Sequence, residues 1–144
     1  TIVGEGEYRK SIESLILEKG LQNRVELIGK VKEIDIWYEK SSFLAFPSLW
    51  EGFPNALAEA MRQGLPAVGL TTTAGVNELL IHKKNGLLSS HNEIHFASCL
   101  QEMISNTLFR KNAGRFASES IQKFDPMIIF NQWENLFVEL STRN

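Results

Sequence analysis

Cysteine is nearly absent from this sequence: there is one, Cys99, in 144 residues. A single thiol excludes an intrachain disulfide framework and a cysteine-rich zinc site, and it suits a reducing compartment. Excess charge is lacking too. Fifteen Lys and Arg stand against seventeen Asp and Glu, a formal net charge of −2. There is therefore no basic field to hold a nucleic-acid backbone or an anionic membrane, and no nucleic-acid partner is expected. No apolar run approaches the ~20 residues of a transmembrane helix, and the first residues lack the build of a signal peptide. A cytoplasmic location is the expectation. Internal repeats, low-complexity stretches and linkers are missing as well.

What is present is ordinary globular material: 43% hydrophobic and 22% charged residues, which excludes disorder. The length suits one domain, and such a chain buries roughly two-thirds of its unfolded surface without a disulfide or structural metal. The start is abrupt. Thr1-Ile2-Val3 reads as the end of a buried strand running into the turn Gly4-Glu5-Gly6. Because domains seldom begin inside a core strand, the sequence is expected to be a piece of a longer protein, cut upstream of Thr1.

From there strands and helices alternate. Ile12, Leu15, Ile16 and Lys19 fall at helical spacing within 7–19, with Gly20 as the stop. Strands are predicted over 25–28, 43–46, 66–70 and 86–88. Between them, helices are predicted around Ile34–Tyr38 and over 55–63, and a helical turn over 78–81. Strands separated by helices of this length imply right-handed crossovers and a parallel sheet. The strands are apolar almost throughout, as expected when helices cover both faces. After Leu88 the strands stop, and 92–105, 108–122 and 126–140 read as three successive helices.

Four features bear on chemistry. Gly4-Glu5-Gly6 follows a strand, but Arg9 stands where a dinucleotide fingerprint needs a third small residue. It reads either as a tight turn or as a nucleotide contact. His91, His95 and Cys99 are spaced four apart and have zinc-binding chemistry. However, His91 lies at or before the helix start and Cys99 sits among Ala97, Leu100 and Met103, so a core role is expected. Phe130, Trp133 and Phe137 share one helical face. Core packing is the default for them, and covering a neighbouring domain outside the chain is the alternative.

The fourth feature is the stretch from Leu49 to Met61, which runs from the carboxyl end of a predicted strand into a helix. Pro54 suits a helix entrance, and the amides of Asn55, Ala56 and Leu57 are expected to point outward at the positive end of the helix dipole. Such an arrangement binds a phosphate or diphosphate without a basic side chain. Glu59, one turn in, leans back toward that end and carries two oxygens suited to a diol. Glu51 lies in the preceding loop. Read from residue chemistry alone, the two acids are either surface groups complementing the dipole or ligands for a sugar attached to the diphosphate.

At this motif the sequence closely resembles the retaining glycosyltransferases of group 1 (family 4). The carriers are Glu51-Gly52-Phe53-Pro54-Asn55, then Glu59-Ala60-Met61 and Gly64-Leu65-Pro66-Ala67-Val68. Val3-Gly4-Glu5-Gly6, Val25–Gly29, Ala45–Ser48, Gly75–Leu79 and Asn85–Leu88 extend the likeness over nearly the whole chain. The resemblance implies a GT-B enzyme of two Rossmann-like domains, each a doubly wound parallel sheet, with this chain as most of the C-terminal donor-binding domain. It implies that Glu59 holds the nucleotide ribose and that Glu51, the catalytic candidate, meets the donor sugar near the reacting carbon. Gly52, Phe53, Asn55, Ala56 and Leu57 would hold sugar and diphosphate, with Val31 near the base and Gly4 near the nucleotide. The donor would be a nucleoside-diphosphate hexose, with no metal or other cofactor. The acceptor, a glycan or lipid, would belong to an N-terminal domain outside the chain, through which any peripheral membrane association would run. By itself the chain is expected to transfer nothing. A nucleotide-sugar epimerase of the same fold, or a non-catalytic partner module, are the rival readings.

Two positions depart from the family pattern. The Arg and Lys that normally neutralise the leaving diphosphate lie upstream of the strand ending at Val3 and are not in this chain. The usual Gly-Gly pair appears as Ala74-Gly75, expected to alter how that loop approaches the sugar.

Overall fold

A computed structural model describes residues 1–142. They gather into two compact units, Thr1–Trp37 and a second from Tyr38 onward. In the first, strand β1 (Ile2–Val3) pairs in parallel with β2 (Leu27–Gly29), and helix α1 (Arg9–Glu18) connects them. Ile12 and Ile16 on α1 are half-buried, whereas Leu15 faces solvent. Arg9 ties this unit together. Its guanidinium reaches Glu5 and Glu13, both at 2.9 Å, and donates to the Leu27 carbonyl at 3.4 Å. The expected strand over 25–28 begins later, because the Val25 amide donates to the Leu21 carbonyl and so belongs to the turn after α1. Helix α2 (Asp35–Lys40) follows.

The second unit carries a three-stranded parallel sheet in the order β3 (Leu44–Phe46), β4 (Ala67–Leu70), β5 (Gly86–Ser89). Helices α3 (Asn55–Arg62) and α4 (Ala74–Leu79) connect the strands, and α5 (Glu93–Ser105), α6 (Thr107–Ile121), a 3-10 turn (Gln122–Phe124) and α7 (Pro126–Thr142) follow. The apolar strands are explained by burial on two faces. On one side Ala67 packs with Leu57 and Met61 of α3, Val76 and Leu79 of α4, and Ala117 and Ile121 of α6. On the other, Val68 and Leu87 pack with Cys99 and Met103 of α5. Alternate residues of β4 therefore enter opposite cores, and neither face is left for polar residues.

Three details fix α3 and its surroundings. Gly64 closes the helix at φ +77°, a conformation costly for any other residue. Gly114 of α6 lies against it so closely that a Cβ there would fall on the Gly64 carbonyl oxygen. Further along, α4 occupies Ala74–Leu79 rather than the expected turn over 78–81. The buried side chain of Asn85 ends it: Nδ2 donates to the Leu79 carbonyl at 2.9 Å, and Oδ1 accepts the Ile81 amide at 2.7 Å. These bonds take over groups that a longer helix would have paired internally.

The aromatic face of α7 corrects an expectation. Phe130, Trp133 and Phe137 are not core residues: they are 66%, 53% and 61% exposed. The Trp133 and Phe137 rings touch each other, with centroids 5.7 Å apart. The helical period arrives as predicted, but no element of the described chain packs along that face. Among the described residues no helix is long and apolar enough to cross a membrane.

Candidate functional site

Parallel sheets bind ligands at the carboxyl ends of their strands, and in the second unit the segment after β3 forms that edge. Pro54 is fully buried at the entrance of α3, and its carbonyl accepts the amides of both Leu57 and Ala58 at 3.0 Å. This corrects one expected donor. The Leu57 amide turns into the helix and its side chain is wholly buried in the core, so the outward-facing pair is Asn55 and Ala56, both exposed. Two amides at the positive end of a helix still suffice to meet an anion.

The two acids stand on either side of these amides in the sequence, and each is held. Ser48 donates its hydroxyl to Oε1 of half-buried Glu51 at 2.7 Å. Ser48 is anchored in turn, since buried Thr73 donates to its carbonyl at 2.9 Å. Exposed Glu59 receives the Tyr38 hydroxyl on Oε2 at 3.3 Å, and the same hydroxyl lies 3.1 Å from the Ala56 carbonyl. The loop between them is pressed from α4: a Cβ on Gly75 would fall on the carbonyl oxygen of Gly52. Phe53 packs edge-on against Phe124, with ring centroids 5.1 Å apart. Two carboxylates fixed by hydroxyl donors beside unpaired amides can receive a molecule bearing both a diphosphate and vicinal hydroxyls.

Sequence reasoning placed Glu51, Gly52, Phe53, Asn55, Ala56 and Glu59 on this edge and missed Tyr38, Ser48 and Thr73. Ser48, three residues before Glu51, carried a local signal, because Ser so placed commonly bonds a nearby turn. Tyr38 and Thr73 had none, since their contacts exist only once the chain has folded. In the first unit, Gly4 sits at the carboxyl end of β1 with φ +137°, and its amide donates to the Gly29 carbonyl at 2.9 Å. A Cβ on Gly4 would meet nothing within 4 Å, so that turn is open. Val31 is half-buried after β2.

The His91, His95 and Cys99 spacing does not become a site. Helix α5 starts at Glu93 with Asn92 as its cap, which leaves His91 outside the helix. His95 Nδ1 lies 3.1 Å from the Ser90 amide and 2.9 Å from its hydroxyl. Cys99 is buried in the core, where desolvation, with the Glu102 charge adding, pushes its thiol up, and a hydrogen bond with Ser89 offsets part of this. Among the described residues no three His, Cys, Asp or Glu side chains gather to hold a metal. A cleft of about 400 Å³ opens at the amino ends of β3 and β4, beside Ser42, Gln63, Pro66, Arg110 and Lys111. Neither acid lines it, though Tyr38, which does, also reaches Glu59.

Comparison with known proteins gives the same direction. The family model described as glycosyl transferases group 1 matches residues 1–106. An exopolysaccharide phosphotransferase of Streptomyces coelicolor is 31% identical over 144 residues, covering 99% of this chain and 15% of the relative. The amylovoran biosynthesis glycosyltransferase AmsD of Erwinia amylovora is 28% identical, covering 94% of this chain and 38% of the relative. Among solved structures, Anabaena HepE in complex with UDP and glucose is similar with a TM-score of 0.84 at 25% identity, over 95% of this chain and 39% of that one. The chain therefore spans well under half the length of these proteins.

Proposed function

The chain belongs to the group 1 glycosyltransferases and has the α/β layering of GT-B enzymes, and from this premise we propose that it is the donor-binding part of a retaining enzyme. That enzyme would transfer a hexose-type sugar from a nucleoside diphosphate to a glycan or lipid acceptor. In this reading Glu59 takes the ribose diol and the amides of Asn55 and Ala56 meet the diphosphate. Glu51 faces the donor sugar near its reacting carbon, where a fixed negative charge stabilises positive charge developing there. Gly52 and Phe53 supply the loop around the sugar. In the first unit the reading assigns nucleotide contacts to Gly4 and Val31. The helix end, rather than a cation, would meet the phosphates, so no metal is required. The acceptor would be held by a part of the protein outside this chain, and a cytoplasmic site of action suits a nucleotide-activated donor.

The observation that carries this reading is the pairing of each acid with its own hydroxyl donor, Ser48 with Glu51 and Tyr38 with Glu59, around the start of α3. Surface acids that merely complement a helix dipole need no such fixing. The deciding experiment incubates a full-length enzyme that contains this chain with a panel of nucleotide sugars, with and without glycan and lipid acceptors, and follows the anomeric configuration of the product. Acceptor-dependent transfer with retention supports the proposal. Interconversion of the nucleotide sugar without an acceptor would favour an epimerase, and donor binding with no turnover a non-catalytic module.

A further inference from the structure

Tyr38 is buried, 7% exposed, while the carboxylate it touches belongs to an exposed residue. Its hydroxyl reaches two acceptors on one face of α3, the Ala56 carbonyl at 3.1 Å and Glu59 Oε2 at 3.3 Å. A glutamate on an exposed helix face has three free torsions and no intrinsic reason to keep one rotamer. A phenol fixed by burial supplies that reason, and its proton is drawn more strongly to the ionised carboxylate than to a carbonyl already inside a helix.

We propose that Tyr38 is a positioning residue for nucleotide binding: its hydroxyl holds Glu59 Oε2 so that Oε1 is presented to the ribose diol. The inference rests on the ribose role of Glu59 argued above and adds a determinant of affinity that touches no ligand. With the hydroxyl gone, Glu59 spreads over several rotamers and binding must gather them again, so affinity falls although every ligand contact remains available. The tyrosine is sited for this task, because a residue needed only to fill the core would bring no hydroxyl to a solvent-facing acid.

The test uses Tyr38→Phe, which keeps the ring and removes only the oxygen, alongside Glu59→Ala and the double variant in the full chain. Each is titrated calorimetrically with whichever of UDP, GDP and ADP binds the unmodified chain most tightly, and with the 2′,3′-dideoxy form of that nucleotide. Tyr38→Phe is expected to weaken the ribonucleotide roughly three- to tenfold, less than a directly lost bond to a charged group. It should leave the dideoxy form nearly unchanged and add little to Glu59→Ala. Equal losses for both nucleotides, or additive losses in the double variant, would overturn the proposal by showing that Tyr38 acts through general structure. A Tyr38→Phe variant that binds normally while Glu59→Ala does not would overturn it alone. If Glu59→Ala also bound normally, the ribose reading itself would fall, and the positioning role with it.

Discussion

Gly75 stands against Gly52 with no room for a side chain: a Cβ at Gly75 would lie 2.0 Å from the Gly52 carbonyl oxygen and 3.0 Å from Pro54 Cδ. The loop that carries Glu51 is thus pressed by the first turn of α4, and Thr73 pins the same loop through the Ser48 carbonyl. This relationship bears on the change from Gly-Gly to Ala74-Gly75. The glycine that the close approach requires is the second of the pair, and it is present.

Gly75→Ala is expected to push the Gly52 loop outward, destabilising the protein by roughly 1–3 kcal/mol, as overpacking generally does. Sugar transfer should fall further than nucleotide affinity, because Glu51 moves while Glu59 stays. Thermal melting together with a transfer assay checks both halves. Equal loss of binding and transfer would detach the loop from the sugar.

Glu59→Ala should lower nucleoside-diphosphate affinity by roughly ten- to a hundredfold, since a hydrogen bond to a charged group is worth ~1.5–3 kcal/mol. Melting temperature should barely change, because the side chain is exposed. Glu51→Gln is expected to spare nucleotide binding and to impair transfer. Calorimetry beside a turnover assay separates the two acids, and unchanged affinity in the alanine variant would remove the ribose role.

Nucleoside-diphosphate binding should persist in excess EDTA, because in the proposed site backbone amides and the helix dipole, rather than a cation, would meet the phosphates. The check is a titration repeated with chelator and then with added Mg²⁺ or Mn²⁺. A strict metal requirement would count against the proposed donor site.

Leu57→Ala should cost ~2–5 kcal/mol of stability, the usual range for emptying a fully buried leucine position. Because Leu57 sits in the turn that also carries Asn55 and Ala56, the surviving folded fraction should bind nucleotide more weakly. Urea unfolding and calorimetry on the same variant measure the two effects.

The Cys99 thiol, raised by burial, should resist thiol reagents at neutral pH until the protein unfolds. The sign of the pH effect follows. The folded thiol keeps its proton above the ordinary value of ~8.5, whereas the unfolded one loses it. Stability from this group is therefore complete below that value and declines as pH rises through the folded one. Melting temperature followed from neutral to alkaline pH, compared with Cys99→Ala, tests it.

Much of the fold was legible in the residues. Gly20 and Gly64 marked helix ends, and Val68 and Leu87 announced strands with no solvent face, because those signals are local or periodic. What escaped depended on partners distant in sequence. Asn85 ends α4 from the far side of a loop, and nothing in Gly75-Val76-Asn77 announced a helix that draws Val76 into the core. Phe130, Trp133 and Phe137 carried a true helical period, but a period states which residues share a face and not whether anything covers it. At the candidate site, type and spacing picked out Glu51 and Glu59 but left them open between surface acids and ligands, and their proposed roles came from the family resemblance. Tyr38, which holds Glu59, and Thr73, which anchors Ser48 beneath Glu51, were not legible, because such long-range partners are decided by packing. The Leu57 amide was misread because a proline carbonyl can take two amides at once, tightening the first turn.

The contact of Gly114 with the Gly64 carbonyl also matters for how genetic variation in this protein is interpreted. Any side chain at Gly114 would displace the cap of α3 and tilt the helix that carries Asn55 and Ala56 at its other end and Glu59 one turn in. In a screen for lost activity, such an allele would score like a change at the ligand, though it lies on another helix and touches none. Because the atom in the way is a backbone carbonyl, trimming a neighbouring side chain would not relieve the clash, and the glycine itself is what the position demands.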